Sequence, residues 1–465
     1  MTDAVDFTAT ATQIAAAVAR REVSARDVLA SALDRIATTN PRLNAFSALL
    51  TERALARATR LDEAIARGEA VGPLAGVPFA AKNLYDIEGI ATIAGSAINR
   101  ERPPATRDAA AVRRLEAAGA ILVGAANMGE YAYDFTGRNA HYGASRNPHD
   151  PERMTGGSSS GSASAVAAGM VPLALGSDTN GSIRVPAAFC GLFGLKPTYG
   201  RLSRAGTYPF TASLDHVGPL ARSTADLAAA YDAMQGFDAD DPVCVDRAVE
   251  PTLASLDEGI AGLRIAIAGG YFAEGGAPEA FAAVAHVAGA LGVTRIIDLP
   301  GSRRARAAAF VITSVEGANL HLDRLRVRPG DFDPETRPRF LAGALVPGAW
   351  YVQAQRFRRW YQEQVRAVFR EVDVILAPSA PVSAPPIEQQ AASLGGVEVP
   401  LRANLGIYTQ PISFIGLPVV AVPVWLGAMP MGVQIIAAPW AEQTALRVAA
   451  HLERLGAVRA PVAQP

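Results

Sequence analysis

Residues 156 to 200, GGSSSGSASAVAAGMVPLALGSDTNGSIRVPAAFCGLFGLKPTYG, constrain this chain more than any other stretch. Gly156-Gly157 lead into Ser158-Ser159-Ser160, and a second small-residue turn, Asp178-Thr179-Asn180-Gly181-Ser182, follows, with Ser182 standing 24 positions after Ser158. The Ala-rich segment 163–169 between them reads as a short, tightly packed helix, and the apolar run 172–176 as a buried strand. Two Gly/Ser loops therefore bracket a helix and a strand and can meet in space. Glycines let backbone amides approach a ligand closely. The neighbouring serines are candidate nucleophiles, and a turn opening into Gly181-Ser182-Ile183 offers N–H groups to a developing oxyanion. A flexible Gly/Ser linker has the same composition, but linkers are not flanked by apolar runs on both sides.

The chain has 465 residues, half of them hydrophobic, which suits one large α/β enzyme with a substantial core. A formal charge of −1 argues against a broad electrostatic grip on nucleic acid. Two cysteines, Cys190 and Cys244, make no disulfide framework, and a reducing cytoplasm is the expected compartment. The N-terminal MTDAVDFTATATQ lacks the basic and apolar regions of a signal peptide. From Ala403 to Ala441 no residue is charged, but five prolines interrupt the run, so buried strands joined by tight turns explain it better than a membrane span.

In chain order, residues 8 to 46 read as two helices, the second opened by Ser24 with Asp27 and stopped at Asn40-Pro41. Residues 52 to 67 read as a further helix with a solvated face. The apolar run from Leu74 ends in Lys82. Such a lysine is costly to bury unless paired or neutralised, and this segment taken alone favours an ammonium that snorkels to the surface. A helix from Asp108 and a strand over 120–123 indicate an α/β sheet. Residues 131 to 153 read as a polar, aromatic rim over a pocket. His141 and His149 lie there without carboxylates at metal-ligand spacing, so surface or hydrogen-bonding roles are the default and no metal is implied. Residues 276 to 310 read as helical. Residues 316 to 370 hold Arg324, Arg326, Arg339 and other basic residues on structural helices, with one or two arginines turned towards the pocket. Residues 372–377, 419–424 and 432–437 read as core strands.

Three patterns compete for the Gly/Ser region. A phosphate-binding loop needs a lysine before its Ser/Thr, and none is present. Gly157-Ser158-Ser159-Ser160-Gly161 matches the G-x-S-x-G elbow with Ser159 as nucleophile. That elbow wants a preceding strand, where this chain has polar HDPERMTGG, and His321 and His451 sit in no supporting pattern. The third reading joins both serine loops to Lys82, since an unprotonated lysine can act as base for a serine. The free pKa of lysine, ~10.4, falls in a dry pocket, and a second serine can relay the proton.

Gly156 to Arg222 resembles the signature of the amidase signature family, serine hydrolases that cleave amide bonds: GGSSSGSAS, SDTNGSIRVPAAFCGLFGLKPTYG and SLDHVGPLARS. GVPFAAKN, VDVILAPS and MPMGVQIIA resemble further family elements in the expected order, so the likeness covers nearly the whole chain. The resemblance implies an α/β fold with a large mixed central sheet covered by helices on both faces. It implies a single amidase domain over 1–465, with N-terminal helices (1–65) that could bind a partner, a catalytic core (72–222), and the rest of the sheet with pocket loops (260–465). It implies a Ser-Ser-Lys triad: Ser182 as nucleophile, Ser158 as bridging serine after a cis peptide bond, and Lys82 as base. Backbone amides of Thr179, Asn180, Gly181 and Ser182 would line the oxyanion hole, with Asp178 and Arg184 as structural support. No cofactor is implied.

Within the family, SDTNGSIRVPA, TASLDHVGP, EGANLHLDRLRVRPGDFDP and AWYVQAQRFR resemble the branch that hydrolyses 1-carboxybiuret, a small carboxylated urea-like molecule of cyanuric acid degradation, with release of ammonia. That branch implies a homodimeric core joined by a small helical accessory subunit, hence a heterotetramer. The rival is the amidase subunit of a tRNA-dependent amidotransferase, from which the chain departs at Asn180, Val185, His216 and Leu322. An inactive scaffold would not need Lys82, Ser158 and Ser182 together. For the substrate carboxylate the sequence offers Arg324, with Arg326 in reserve, because a fork of donors suits a carboxylate. His216 is a further pocket candidate.

Overall fold

The computed structural model describes residues 6–464, so the first five residues of the N-terminal segment lie outside it. The strands are β1 (Phe46–Leu49), β2 (Pro78–Lys82), β3 (Ile121–Ala126), β4 (Arg146–Asn147), β5 (Asp150–Met154), β6 (Leu173–Asp178), β7 (Phe193–Lys196), β8 (His216–Ala221), β9 (Ile265–Ala268), β10 (Ile296–Ile297), β11 (Val374–Pro378), β12 (Ala391–Leu394), β13 (Val397–Pro400), β14 (Val419–Val424) and β15 (Met431–Ala437). Eleven of them form one sheet in the order β1-β3-β2-β6-β8-β7-β14-β15-β11-β9-β10, while β4–β5 and β12–β13 are separate hairpins. The sheet is mixed. β3, β2 and β6 run parallel, as do β11, β9 and β10, and antiparallel pairs fill the middle.

The first eleven helices are α1 (Ala11–Ala19), α2 (Ala25–Leu43), α3 (Thr51–Ala66), α4 (Ala110–Ala117), α5 (Ser160–Ala167), α6 (Arg184–Phe189), α7 (Thr224–Met234), α8 (Pro278–Ala290), α9 (Ser302–Val327), α10 (Arg337–Ala344) and α11 (Gly348–Val368). Both faces of the sheet are covered, because side chains of period two divide between two cores. Val420, Ile435 and Leu376 pack in one core with α8 and the C-terminal helix Glu442–Arg454. Their strand neighbours Val419, Ile436 and Ile375 pack in the other with residues of α9 and α11.

Most elements fall where the patterning places them. Pro41 does not stop α2: the helix runs through it to Leu43 and closes on Asn44 in the left-handed conformation. The Asn40 side chain ends the helix differently, its Oδ1 accepting the N–H groups of Ala45 and Phe46. The Ala-rich stretch 276–310 is broken between α8 and α9, where β10 joins the sheet edge. The uncharged stretch 403–441 is β14 and β15 preceded by short helical turns, and no described helix is long and apolar enough to cross a membrane.

Two packing facts place the site. β2 and β6 are parallel neighbours, Ala81 opposite Leu175, so their C-terminal ends share one edge. α5 lies buried against the backbone there: a Cβ on Gly161 would fall 2.2 Å from Ala45 O and 2.5 Å from Asn127 N. Only a Ser/Ala/Gly helix fits so close.

Candidate active site

Lys82 is the last residue of β2 and is fully buried, which corrects the surface lysine its own segment favours. Its Nζ lies 2.7 Å from Ser158 Oγ, 2.8 Å from Ser177 Oγ and 3.1 Å from Ser159 Oγ. Burial pushes the ammonium down to about 7, against the opposing pull of Asp178, Asp215 and Asp134. Ser177 escapes the sequence reading, although its place just before Asp178 at the end of β6 puts it beside the end of β2.

Neutral Nζ has two N–H bonds and one lone pair, so the protons around it can be assigned. Ser159 Oγ donates to Ser177 O at 3.2 Å, so its single proton is committed, and it accepts the Ser177 N–H at 3.2 Å. Ser158, at the shortest distance, is the hydroxyl best placed to donate to the lone pair. With its proton committed to Ser177 O, Ser159 lacks the free hydroxyl that the elbow reading needs of its nucleophile. A strand does precede the elbow motif, contrary to expectation, but it is β5 of the outlying hairpin rather than a strand of the central sheet. His321 gives that reading no support: it packs 4.0 Å from the Tyr131 ring centroid and 4.9 Å from that of Phe340, with neither ring nitrogen bonded among the described residues. Burial, then Arg324, holds it down to about 3.

The peptide bond between Gly157 and Ser158 is cis. Gly156, at φ 74°, packs against α6: a Cβ there would meet Pro186 Cα at 2.9 Å. This contact holds the first serine loop against the helix that follows Ser182. Ser182 is buried, and its hydroxyl takes no protein hydrogen bond among the described residues.

The turn before Ser182 is fixed from several sides. Asp178 receives Arg184 in a bidentate pair, 2.9 Å at each oxygen, both side chains fully buried. Asp178 also accepts the Ile183 N–H at 3.2 Å and Ser413 Oγ at 3.2 Å. Burial would raise this carboxyl, but the Arg184 charge and hydrogen bonds outweigh it and hold it well below the usual range. Thr179 Oγ1 donates to Asp215 Oδ1 at 2.6 Å. Asn180 Nδ2 donates to Thr313 Oγ1 on α9 at 2.8 Å, its carbonyl accepts Thr409 Oγ1 at 2.6 Å, and its Oδ1 is left without a partner among the described residues. The N–H groups of Gly181 and Ser182 meet no protein acceptor among the described residues.

His216 opens β8 opposite Asp178. Its Nδ1 donates to Leu214 O at 2.6 Å, which leaves Nε2 as a buried acceptor with no partner among the described residues. Burial, then the nearby Lys196 charge, holds it well below its ordinary value, so the ring is neutral. Arg324 is partly buried, with Nη1 on Tyr208 Oη at 2.7 Å, Asn99 Oδ1 at 3.2 Å and Tyr131 Oη at 3.3 Å, and no carboxylate partner among the described residues. Arg326, the reserve candidate, lies at the surface beside Asp323 at 3.4 Å. Arg339, read from sequence only as part of a basic helical region, stands 3.5 Å over the Tyr133 ring and donates to Tyr133 O at 2.7 Å. Tyr133 Oη meets Ser314 Oγ at 3.1 Å, next to the Thr313 that holds Asn180. Residues 131–139 are mostly buried rather than a solvated rim.

The family model of amidases matches residues 27–446. The chain belongs to the amidase family. This amidase is 54% identical over 450 residues to AtzE, a 1-carboxybiuret hydrolase subunit of Pseudomonas sp. (strain ADP), covering 96% of this chain and 98% of that one. It is 40% identical to a glutamyl-tRNA(Gln) amidotransferase subunit of Methylococcus capsulatus, over 95% of each chain. A solved structure described as an unexpected vestigial protein complex that reveals the evolutionary origins of an s-triazine catabolic enzyme superposes with a TM-score of 0.96 at 53% identity, over 97% of this chain and 99% of that one. The amidase fold, with its large mixed sheet, and hydrolysis of amide bonds follow for this chain.

Proposed function

We propose that this amidase hydrolyses a C–N bond of 1-carboxybiuret, releasing ammonia through an acyl-enzyme on Ser182. The observation that carries the mechanism is the buried Lys82, lowered towards neutrality and within 2.7 Å of Ser158 Oγ. Neutral Lys82 takes the proton of Ser158 as Ser158 takes that of Ser182. Ser182 Oγ attacks the amide carbonyl. The N–H groups of Thr179, Asn180, Gly181 and Ser182 receive the oxyanion, each worth up to ~3 kcal/mol. The relay returns a proton to the leaving nitrogen, and water hydrolyses the acyl-enzyme.

The substrate carboxylate requires a cation that no protein carboxylate has claimed. Arg324 meets that condition, and so does Arg339 among the described residues. Arg339 is the better placed, because Tyr133 and Ser314 link it to the helix turn that holds Asn180, whereas Arg324 lies eleven residues, about three turns, beyond Thr313 on α9. The assembly is a heteromer of this chain, a second copy and a small helical subunit, working as a single-domain enzyme in the cytoplasm.

The test is ammonia release by the purified full-length chain, with and without a co-purifying small subunit. The substrates are 1-carboxybiuret generated in place, biuret, glutamine and a simple aliphatic amide. Turnover confined to the carboxylated urea-like compound, and absent in Ser182→Ala, is expected. Glutamine turnover would move the chain to the amidotransferase reading, and silence across the panel would remove the substrate assignment.

A further inference from the structure

The turn before Ser182 holds one buried polar atom that the protein itself does not satisfy. Asn180 is 6% exposed. Its Nδ2 donates to Thr313 Oγ1 at 2.8 Å, and its carbonyl accepts Thr409 Oγ1 at 2.6 Å. Its Oδ1 is buried without a partner among the described residues. A buried acceptor left unpaired is costly, and more so in apolar surroundings. Such an atom points to a ligand that brings a donor. The turn has no room to swing: a Cβ on Gly181 would fall 2.2 Å from Thr409 Oγ1, and Thr313 holds the Asn180 amide from the side of α9.

The place of Oδ1 along the site tells which donor it meets. Asn180 stands two residues before Ser182. Beyond it, Ser314, next to Thr313 on α9, meets Tyr133 Oη at 3.1 Å, and Arg339 stands 3.5 Å over the Tyr133 ring. The order from nucleophile to cation is therefore Ser182, Asn180, the Thr313–Ser314 turn, Tyr133 and Arg339. A linear substrate with its amide carbonyl at Ser182 and its carboxylate at Arg339 lays its middle beside Asn180. The walls there are apolar. Tyr133 packs on Phe210 at 4.7 Å and on Phe340 at 5.2 Å between ring centroids. A Cβ on Gly317, one turn along α9 from Thr313, would meet Phe210 at 2.9 Å.

We propose that Asn180 Oδ1 accepts the substrate N–H next to the scissile carbonyl, and so makes the enzyme select urea-type amides over carboxamides, which carry a CH2 at that position. Asn180 is then a specificity residue that acts through its side chain, apart from any role of its backbone N–H. A site built around a buried acceptor discriminates strongly against an analogue that lacks the donor, because the acceptor is then left unpaired.

The inference rests on the substrate path proposed above, with Ser182 at one end and Arg339 at the other, and its test does not use turnover. 3-Ureidopropionate and glutaramate both have the chain length of 1-carboxybiuret and both end in a carboxylate. They differ only by N–H against CH2 beside the terminal amide carbonyl. Calorimetric titration of each into the full-length Ser182→Ala protein, with any co-purifying subunit retained, gives two affinities. 3-Ureidopropionate is expected to bind about tenfold or more tightly than glutaramate. Adding Asn180→Ala should bring the two within about threefold while glutaramate keeps its affinity, which a collapsed turn would not allow. Thr313→Val in place of Asn180→Ala unties the amide without touching the turn itself, and should also narrow the preference. A preference that survives both variants overturns the role of Asn180 and leaves the substrate reading standing. Equal affinities in Ser182→Ala, the result of an amide turned to present Nδ2 instead, overturn the inference as well. If neither ligand binds, the inference falls, and the turnover panel alone then decides the substrate reading.

Discussion

Two lysines of this amidase share nearly every physical circumstance and differ in one. Lys82 ends β2 and Lys196 ends β7, each the last residue of a buried strand, and both side chains are fully buried. Burial pushes both ammonium groups down to about 7. The Arg184 charge adds to that effect at Lys196, where Asp178 and Glu442 oppose it. The difference is in what surrounds each nitrogen. Lys196 Nζ donates to Pro197 O at 3.0 Å and to Leu417 O. Lys82 Nζ is ringed by the hydroxyls of Ser158, Ser159 and Ser177. A carbonyl can only accept a hydrogen bond, whereas a hydroxyl can also give up its proton. A lowered lysine is therefore not by itself a catalytic base. It becomes one where a neighbour has a proton to give.

The largest expected effect separates the two directly. Lys82→Met should lower kcat by about 10⁴-fold or more, as loss of a member of a catalytic triad does, with the fold intact by circular dichroism. Lys196→Met should keep kcat within a few-fold. It should instead lose ~1–3 kcal/mol in denaturant unfolding, because two buried carbonyls lose their donor. Equal losses of activity in both variants would break the comparison.

A second expectation concerns what the lysines share. In the unfolded chain each holds its proton to ~10.4, and in the folded chain to about 7. Between those values the unfolded state binds more protons, so stability must rise with pH, by up to about 1.4 kcal/mol per pH unit for each lysine. Urea unfolding from pH 7 to 9 should show that rise, and Lys196→Met should flatten it by one proton's worth. A wild-type slope of zero would mean that both lysines stay charged in the folded protein.

The smallest effects sharpen the serine ring. Ser159→Ala should keep activity within about tenfold, since its proton is committed to Ser177 O, whereas Ser158→Ala should match the Lys82 loss. Ser177→Ala removes an acceptor that favours the ammonium, so the acid limb of its pH–rate profile should move to lower pH. A Ser159→Ala enzyme without turnover would restore the elbow reading.

The sequence carried the fold through its buried strands, whose apolar runs at β2, β6, β11, β14 and β15 are long enough to read directly. It carried the two serine loops because their glycines and serines are unmistakable in composition. It did not carry what depends on contacts between distant segments. Ser177 looks like an ordinary strand residue until β6 is laid beside β2. Arg339 looks like one of many helical arginines until it stacks on Tyr133. Pro41 reads as a stop because the Asn40 side chain, which ends the helix three residues later, bonds to backbone outside it. Lys82 reads as a surface residue for the same reason: its neutralising surroundings come from residues 76 to 95 positions away.

The central claim is that neutral Lys82 drives proton transfer through Ser158. Its most direct test is the pH dependence of kcat/KM for ammonia release from 1-carboxybiuret, in wild type and in Lys196→Met. A base that works when neutral is inactive below its pKa. Both proteins should therefore show the same acid limb, rising tenfold per pH unit and levelling above about pH 7. A limb that disappears or moves by a full unit in Lys196→Met, or a flat wild-type profile between about pH 5 and 9, would contradict the account.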